Sequence, residues 1–335
     1  MFRQFKRDWG AKISSLIPLG IWHQLIDVEL LLPYYHLVGD RELEHVSGLF
    51  KFRTVQQFKA DVGFFMQSYT PVTLKEVICH LEGGSRLPKR CFLLTFDDGF
   101  SEMYDIVAPI LYAQGIPAVF FLTTSVVDNR ELCYQQKISL LIRSLRSVEM
   151  TPLNKKVSQL LDNAGVSGSD LRLRIRSLKY RQRHVLDQLE PILGCDFAAY
   201  SALVQPYLTT PQIRHLIKQG FAIGAHSIDH PLYSELSLEE QLHQTAESLS
   251  WISHCFDYDC QAFAFPFRDV GVSPEFFQQA FSSGYLKVSF GTGGMHRHYF
   301  PRNLTRNTME NTNRNTQQIL AREFAVTLLR KSPYG

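Results

Sequence analysis

The stretch CFLLTFDDG (residues 91–99) places an apolar run directly before two adjacent carboxylates and a glycine. A short apolar run that ends at a turn signal is typical of a buried strand. Asp97 and Asp98 therefore lie at the carboxyl end of a predicted strand, where parallel sheets and barrels place their functional residues. We expect the two side chains to diverge, so that one carboxylate can bind a cation while the other faces a substrate. Asp-Asp-Gly is equally compatible with an ordinary turn.

Strands and helices alternate on both sides of this stretch. Helices are predicted at Met103–Gln114 and at Ser237–His254, the second opening with the capping-box pair Ser237 and Glu240. Further strands are predicted at LLPYYHLV (31–38), AVFFLT (118–123), FAIGA (221–225) and AFAFPF (262–267). This alternation predicts an α/β architecture with parallel strands.

Composition excludes several classes of protein. The chain has 335 residues, of which 45% are hydrophobic and 20% charged, and this composition is typical of a globular protein. With 35 basic and 32 acidic side chains the formal charge is only +3, so we expect no nucleic-acid partner. The six cysteines form no CxxC pair, which argues against a disulfide scaffold and a cysteine zinc site.

The segment GAHSIDHP (residues 224–231) places two histidines four residues apart, directly after a predicted strand. His226 and His230 can converge on one metal ion if the intervening turn is regular. Two imidazoles and one carboxylate leave coordination positions open for water and substrate, which favours a catalytic site over a structural one.

A third signal is the sequence AFPF (residues 264–267) at the end of a predicted strand. Pro266 has a fixed φ and no N–H, so the backbone N–H of Phe267 can be held toward a cavity. A fixed donor of this kind stabilises the oxyanion of a tetrahedral intermediate. Proline is also common at strand ends, so this motif alone decides nothing.

Together, TFDDG, HSxxH and the PF pair in this order resemble the polysaccharide deacetylase family, the NodB-homology carbohydrate esterases. The resemblance covers about residues 31–128 and 206–306. It extends to the bacterial branch that includes poly-N-acetylglucosamine deacetylases, in which a YHxV-type strand precedes the Asp-Asp pair, as YYHLV (34–38) does here. The family implies a distorted (β/α) barrel with fewer than eight regular repeats.

The resemblance also implies roles for individual residues. Asp98, His226 and His230 match the ligands of a divalent ion, usually zinc and in some members cobalt, nickel or iron. Asp97 matches the catalytic base, and Phe267 stands where the family supplies its oxyanion N–H.

Two departures from the family pattern affect the site. Where the family commonly has an arginine that steadies the catalytic aspartate, this chain has Ala264, and we expect Arg302 to restore the charge, with Arg268 or Arg306 as alternatives. The usual C-terminal Leu-x-x-His, which supplies the general acid, is not evident. In the resembling poly-N-acetylglucosamine deacetylases a histidine of the N-terminal YHxV strand takes its place, which predicts His36 as the acid.

The domain organisation follows from the resemblance and from a change of pattern. A NodB-like barrel is predicted over 31–128 and 206–310, with a helical insertion at 129–205 and a C-terminal helix or tail at 311–335. The insertion contains LRLRIRSLKYRQRH (171–184), with six Lys or Arg and no acid. That run is compatible with a contact for an anionic polymer or phosphate and with a solvated helix face.

The N-terminal segment, residues 1–30, is predicted to be helical. Five large apolar residues share one helical face, namely Phe2, Phe5, Trp9, Ile13 and Leu16. Such a helix can rest on an anionic membrane surface or pack across one end of the domain. Because no clear export signal precedes the barrel, we expect a cytoplasmic protein, with this helix as the contact to the inner face of the membrane.

These features predict a metal-dependent deacetylase that hydrolyses N-acetyl groups of amino sugars in an oligo- or polysaccharide. Two alternatives stay open. The same site could hydrolyse another amide or an O-acetyl ester, or the barrel could bind a glycan without catalysis.

Overall fold

The computed structural model describes residues 17–26, 28–145, 152–295 and 298–329. The predicted apolar face of the N-terminal helix, residues 2–16, lies outside them. The strands β1 to β11 span Leu30–Leu31, Pro33–Tyr35, Thr70–Pro71, Cys91–Phe92, Leu94–Phe96, Ala118–Leu122, Ala222–Ala225, Ala262–Ala264, Val288–Gly291, Asn303–Thr305 and Asn307–Thr308. The helices α1 to α13 span Leu19–Leu25, Val55–Ser68, Leu74–Leu81, Ala108–Tyr112, Tyr134–Ser144, Pro152–Asn163, Leu171–Arg176, His184–Ile192, Phe197–Val204, Thr210–Lys218, Leu238–Phe256, Pro274–Ser282 and Thr316–Leu329.

Eight parallel strands form a nearly closed barrel in the order β10-β9-β8-β7-β6-β5-β2-β11. The two outermost strands, β10 and β11, are consecutive in the chain and are separated only by Arg306. One segment, residues 303–308, therefore pairs with β9 on one side and with β2 on the other, and it closes the barrel. This confirms the predicted distorted (β/α) barrel.

Every strand predicted from the sequence contains a strand of the structure. The site residues follow directly after the barrel strands. Phe96, Phe120 and Phe263 are fully buried on these strands, as expected for a barrel covered by helices. The predicted helix at Met103–Gln114 instead begins with a π-helical turn, Met103–Val107, before α4. Pro109 has no N–H, so the carbonyl of Asp105 lacks its α-helical donor there.

The region 129–205 contains α5 to α9 and no strand among its described residues. These helices pack around a hydrophobic cluster of their own, which includes the fully buried Leu141, Leu161 and Leu189 and joins the barrel loops at Phe100. The predicted helical character of this region agrees with the structure, and its boundaries as a domain stay a prediction. Among the described helices, none has the length and hydropathy that a membrane-spanning segment needs.

The basic run in this region is used for internal contacts. Arg174 is buried and pairs with Asp162 at 2.5 Å, and Arg181 pairs with Glu240 at 2.8 Å. The other four basic side chains also have protein partners, namely Arg172 with the Leu145 carbonyl, Arg176 with the Leu49 carbonyl, Lys179 with Glu235, and Arg183 with the Tyr180 carbonyl and ring. These contacts account for the run without an anionic ligand.

Candidate active site

Three predicted ligands converge at the carboxyl ends of the barrel strands. Asp98 follows β5, and His226 and His230 follow β7. One ligand atom from each of the three lies within 4.8 Å of the others, a spacing that fits a single divalent ion.

The hydrogen bonds around these residues leave the ligand atoms free. The Nδ1 of His226 donates to the carbonyl oxygen of Ala264 at 2.8 Å, which turns Nε2 toward the centre of the cluster. Asp98 Oδ1 lies 3.4 Å from His226 Nε2 and 3.1 Å from His230 Nε2. This oxygen is buried and accepts no hydrogen bond from a described residue. An orphaned carboxylate oxygen facing two imidazole nitrogens fits a bound cation.

The backbone takes uncommon conformations at this site. Asp98, Ser227, His230 and Phe267 have φ values of 75°, 68°, 63° and 58°, in the left-handed region. Such conformations cost energy for residues other than glycine and cluster at functional sites. For Asp98 the left-handed turn, rather than strand alternation, directs its side chain away from that of Asp97.

Asp97 is held by an arginine from the segment that closes the barrel. The Nη1 and Nη2 of Arg306 donate to Asp97 Oδ1 and Oδ2 at 2.6 and 2.7 Å, and both side chains are buried. Burial is the largest single effect and raises the pKa of Asp97, but the Arg306 guanidinium, its hydrogen bonds and the neighbouring His226 and His36 together outweigh it, and the net pKa is lowered. Asp97 is therefore a carboxylate at neutral pH and can accept a proton.

This contact corrects the prediction for Arg302. The guanidinium of Arg302 lies 5.8 Å from the centre of the Phe281 ring, and Arg306 occupies the place beside Asp97. Arg306 thus supplies the positive charge that is absent at position 264, where this chain has alanine. The alternative Arg268 is exposed and lines the cleft described below.

His36 follows β2 and is held by Glu310, which follows β11. The Nδ1 of His36 donates to Glu310 Oε2 at 2.6 Å, and the backbone N–H groups of His36 and Leu37 donate to Glu310 Oε1 at 2.9 and 3.0 Å. Burial is the largest single effect and lowers the pKa of His36, but the Glu310 carboxylate, together with Asp98 and Asp97, raises the net pKa to about 9. His36 is therefore a cation at neutral pH, and it does not belong to the metal-ligand cluster.

The Phe267 ring packs against His230, with 4.8 Å between ring centres. Its carbonyl accepts a hydrogen bond from Thr292 Oγ1 at 3.0 Å. Among the described residues, its backbone N–H has no hydrogen-bond partner. A free N–H beside a metal ligand is what the predicted oxyanion role requires.

These groups share one cleft of about 610 Å³. It is lined by His36, Asp97, Asp98, His230 and Phe267 and has walls with five aromatic rings, those of Tyr34, Phe50, Tyr134, Tyr180 and Phe267. Tyr134 and Tyr180 come from the region 129–205, so that region forms part of the cleft.

A family model for polysaccharide deacetylases matches residues 84–286. The chain belongs to the polysaccharide deacetylase family. This membership indicates a hydrolase that acts on carbon–nitrogen bonds other than peptide bonds. A poly-beta-1,6-N-acetyl-D-glucosamine N-deacetylase of Escherichia coli K12 is 42% identical over 61 residues, which are 18% of this chain and 9% of the relative's length.

Solved structures of deacetylases share the fold. The Streptococcus pyogenes deacetylase PplD, in complex with acetate, has a TM-score of 0.56 and 14% identity, with 88% of this chain and 98% of that chain covered. IcaB from Ammonifex degensii has a TM-score of 0.55 and 15% identity, with 89% and 97% covered. The likeness therefore extends over the whole barrel and beyond the matched family region.

Proposed function

We propose that this deacetylase-family protein removes acetyl groups from N-acetylated amino sugars of an oligo- or polysaccharide of the poly-N-acetylglucosamine type, with a divalent metal ion. One observation carries the proposal. The cleft is lined by Asp98 and His230 of the Asp-His-His cluster, by the carboxylate of Asp97, which an arginine holds, and by the imidazolium of His36, which a carboxylate holds. These are the groups that amide hydrolysis needs.

Asp98, His226 and His230 would hold the metal ion. When bound, such an ion supplies Lewis-acid polarisation of a carbonyl and a lowered pKa of water. Zinc fits the two imidazoles and one carboxylate, and cobalt, nickel and iron accept the same ligands.

The chain's own residues supply the proton transfers. Asp97, kept ionised by Arg306, accepts the proton of the attacking water. The Phe267 N–H donates a hydrogen bond to the oxygen that becomes negative in the tetrahedral intermediate. His36, kept protonated by Glu310, gives its proton to the nitrogen of the leaving amine. An amine is a poor leaving group unless it is protonated, so the acid is needed for amides more than for esters.

The walls of the cleft support a sugar substrate. Aromatic rings stack on the apolar faces of sugar rings, and five aromatic residues line the cleft. The resemblance of a 61-residue segment to the Escherichia coli enzyme supports a glucosamine-based glycan.

The test is acetate release from N-acetylglucosamine oligomers. The purified chain is stripped with a chelator, reloaded with zinc or cobalt, and assayed beside the stripped sample. We expect acetate only from the reloaded protein. An O-acetyl ester and a cyclic imide, assayed in parallel, separate the proposed activity from that of another hydrolase on the same site. If the loaded protein releases no acetate from any acetylated glycan, the proposal is wrong: hydrolysis of the ester or the imide would then indicate another hydrolase on the same site, and no hydrolysis of either would indicate a glycan-binding barrel.

A further inference from the structure

The two histidines of the metal cluster are held in different ways. The Nδ1 of His226 donates to a backbone carbonyl, whereas the buried Nδ1 of His230 has no hydrogen-bond partner among the described residues. Metal-binding histidines usually have their second ring nitrogen hydrogen-bonded, which fixes the orientation of the ring. The placement of His230 therefore depends on its backbone and on the rings of Phe267 and His226, whose centres lie 4.8 and 4.9 Å from its own.

The backbone before His230 is fixed by the neighbouring Asp229. Its Oδ1 accepts a hydrogen bond from Gln244 Nε2 at 2.8 Å, and Gln244 Oε1 in turn accepts from the N–H of Ile228 at 2.9 Å. Because Ser227 and His230 have left-handed φ values, this loop needs contacts from outside to keep its conformation. Gln244, on α11, supplies them from one side.

The loop is also held by the backbone N–H groups of Thr124 and Ser125, which donate to the carbonyls of Ser227 and Ile228 at 3.1 and 2.8 Å, and by the region 129–205. The hydroxyl of Tyr180 donates to Asp229 Oδ2 at 2.5 Å. The residues on either side of Tyr180 are also tied to the barrel, since Lys179 pairs with Glu235 at 2.6 Å and Arg181 pairs with Glu240 at 2.8 Å. The Tyr180 ring is fixed by the guanidinium of Arg183, which lies 4.1 Å from its centre.

We propose that Tyr180 is a positioning residue for the metal site, which acts through Asp229 on the loop that carries His230. By holding this loop, the region 129–205 raises the affinity of the barrel for its divalent ion, in addition to forming a wall of the cleft. The inference rests on the proposed function only in that it requires a metal ion at Asp98, His226 and His230.

The variant Tyr180→Phe tests this inference, because it keeps the ring and removes only the hydroxyl. We expect the Kd for zinc and cobalt, measured by competition with a chelating dye, to rise roughly tenfold, the lower end of the range for lost outer-shell partners.

Tyr200→Phe is the matched control. It removes a hydroxyl from the same region, one that lies 3.0 Å from His45 Nδ1 and makes no contact with the metal loop. We expect its metal Kd to match that of wild type. In an Asp229→Ala background, Tyr180→Phe should add no further loss of affinity, because its effect passes through Asp229.

Three results would overturn the inference. An unchanged metal Kd in Tyr180→Phe would show that the hydroxyl does not position the loop. Equal losses in Tyr180→Phe and Tyr200→Phe would indicate general loosening of the region. A wild-type chain that binds no metal would overturn the proposed metal-dependent function itself, and this inference with it.

Discussion

Replacing Arg306 with Met is expected to lower the free energy of unfolding by about 3–5 kcal/mol, the usual cost of removing one partner of a buried ion pair. Methionine keeps much of the arginine side chain's volume but leaves Asp97 buried without its counter-charge. The variant also loses the stacking of the guanidinium on the Tyr34 and Phe121 rings, whose centres lie 4.8 and 5.5 Å away. Urea unfolding of the two proteins measures the difference.

The same substitution is expected to lower turnover by about two to four orders of magnitude, the range for lost acid–base catalysis. Without Arg306, burial raises the pKa of Asp97, and the carboxylate is no longer a fixed proton acceptor. Arg302→Met is the matched control, because Arg302 is half-buried and contacts the Phe281 ring instead of Asp97. We expect its stability to change by no more than about 0.5 kcal/mol. If Arg302→Met loses turnover and Arg306→Met does not, the assignment is reversed.

Replacing His36 with Ala is expected to lower turnover by about two to four orders of magnitude while metal content and folding stay intact. The reason is that the variant has no proton to give to the leaving amine. Zinc content by atomic absorption and a circular dichroism spectrum separate this outcome from a damaged site. A variant without metal, or one with near-normal turnover, would contradict the role of His36.

The pH profile tests the same group in the wild-type protein. A general acid must be protonated, so turnover is expected to be present below the pKa of His36 and to fall as the pH rises through it. The pKa of about 9 applies without a metal ion, and a bound cation lowers it by repulsion, so the alkaline limb is expected at or below pH 9. In Glu310→Gln the limb should move to lower pH, because the carboxylate that favours the imidazolium is gone. An unmoved limb would assign it to another group.

The strands that carry Asp98, His226 and Phe267 could be predicted because each is an apolar run that ends in a polar or proline motif. The segment NLTRNT (303–308) gave no such signal, since its apolar content is a single leucine. It forms strands only because β9 and β2 pair with it, a long-range effect that local pattern does not contain. From the sequence, Arg306 is therefore only one of three candidates for the arginine beside Asp97, and the preference for Arg302 is wrong.

Glu310 was missed for a related reason. Glu310 belongs to no motif. It reaches His36 only because β11 pairs with β2, which brings the ends of both strands together. Glu310 stands four residues after Arg306 in the sequence. This spacing indicates a role in the site only once Arg306 is known to lie in the segment that closes the barrel and Glu310 to follow it. The helical content of 129–205 was predictable from its polar periodicity, but its contact with the metal loop through Tyr180 was not.

Closure of the barrel by residues 303–308 has a consequence for the order in which the protein is made. During synthesis the partners of Asp97 and His36 leave the ribosome about 200 or more residues after those two groups. Until then β2 and β9 are open sheet edges, which are the surfaces most prone to pair with another chain. The same short segment removes both edges and contains Arg306, which holds the catalytic base, and Glu310, which holds the acid, follows two residues after its end. A nascent chain thus acquires its proton-transfer groups in working form only at the moment its sheet is sealed.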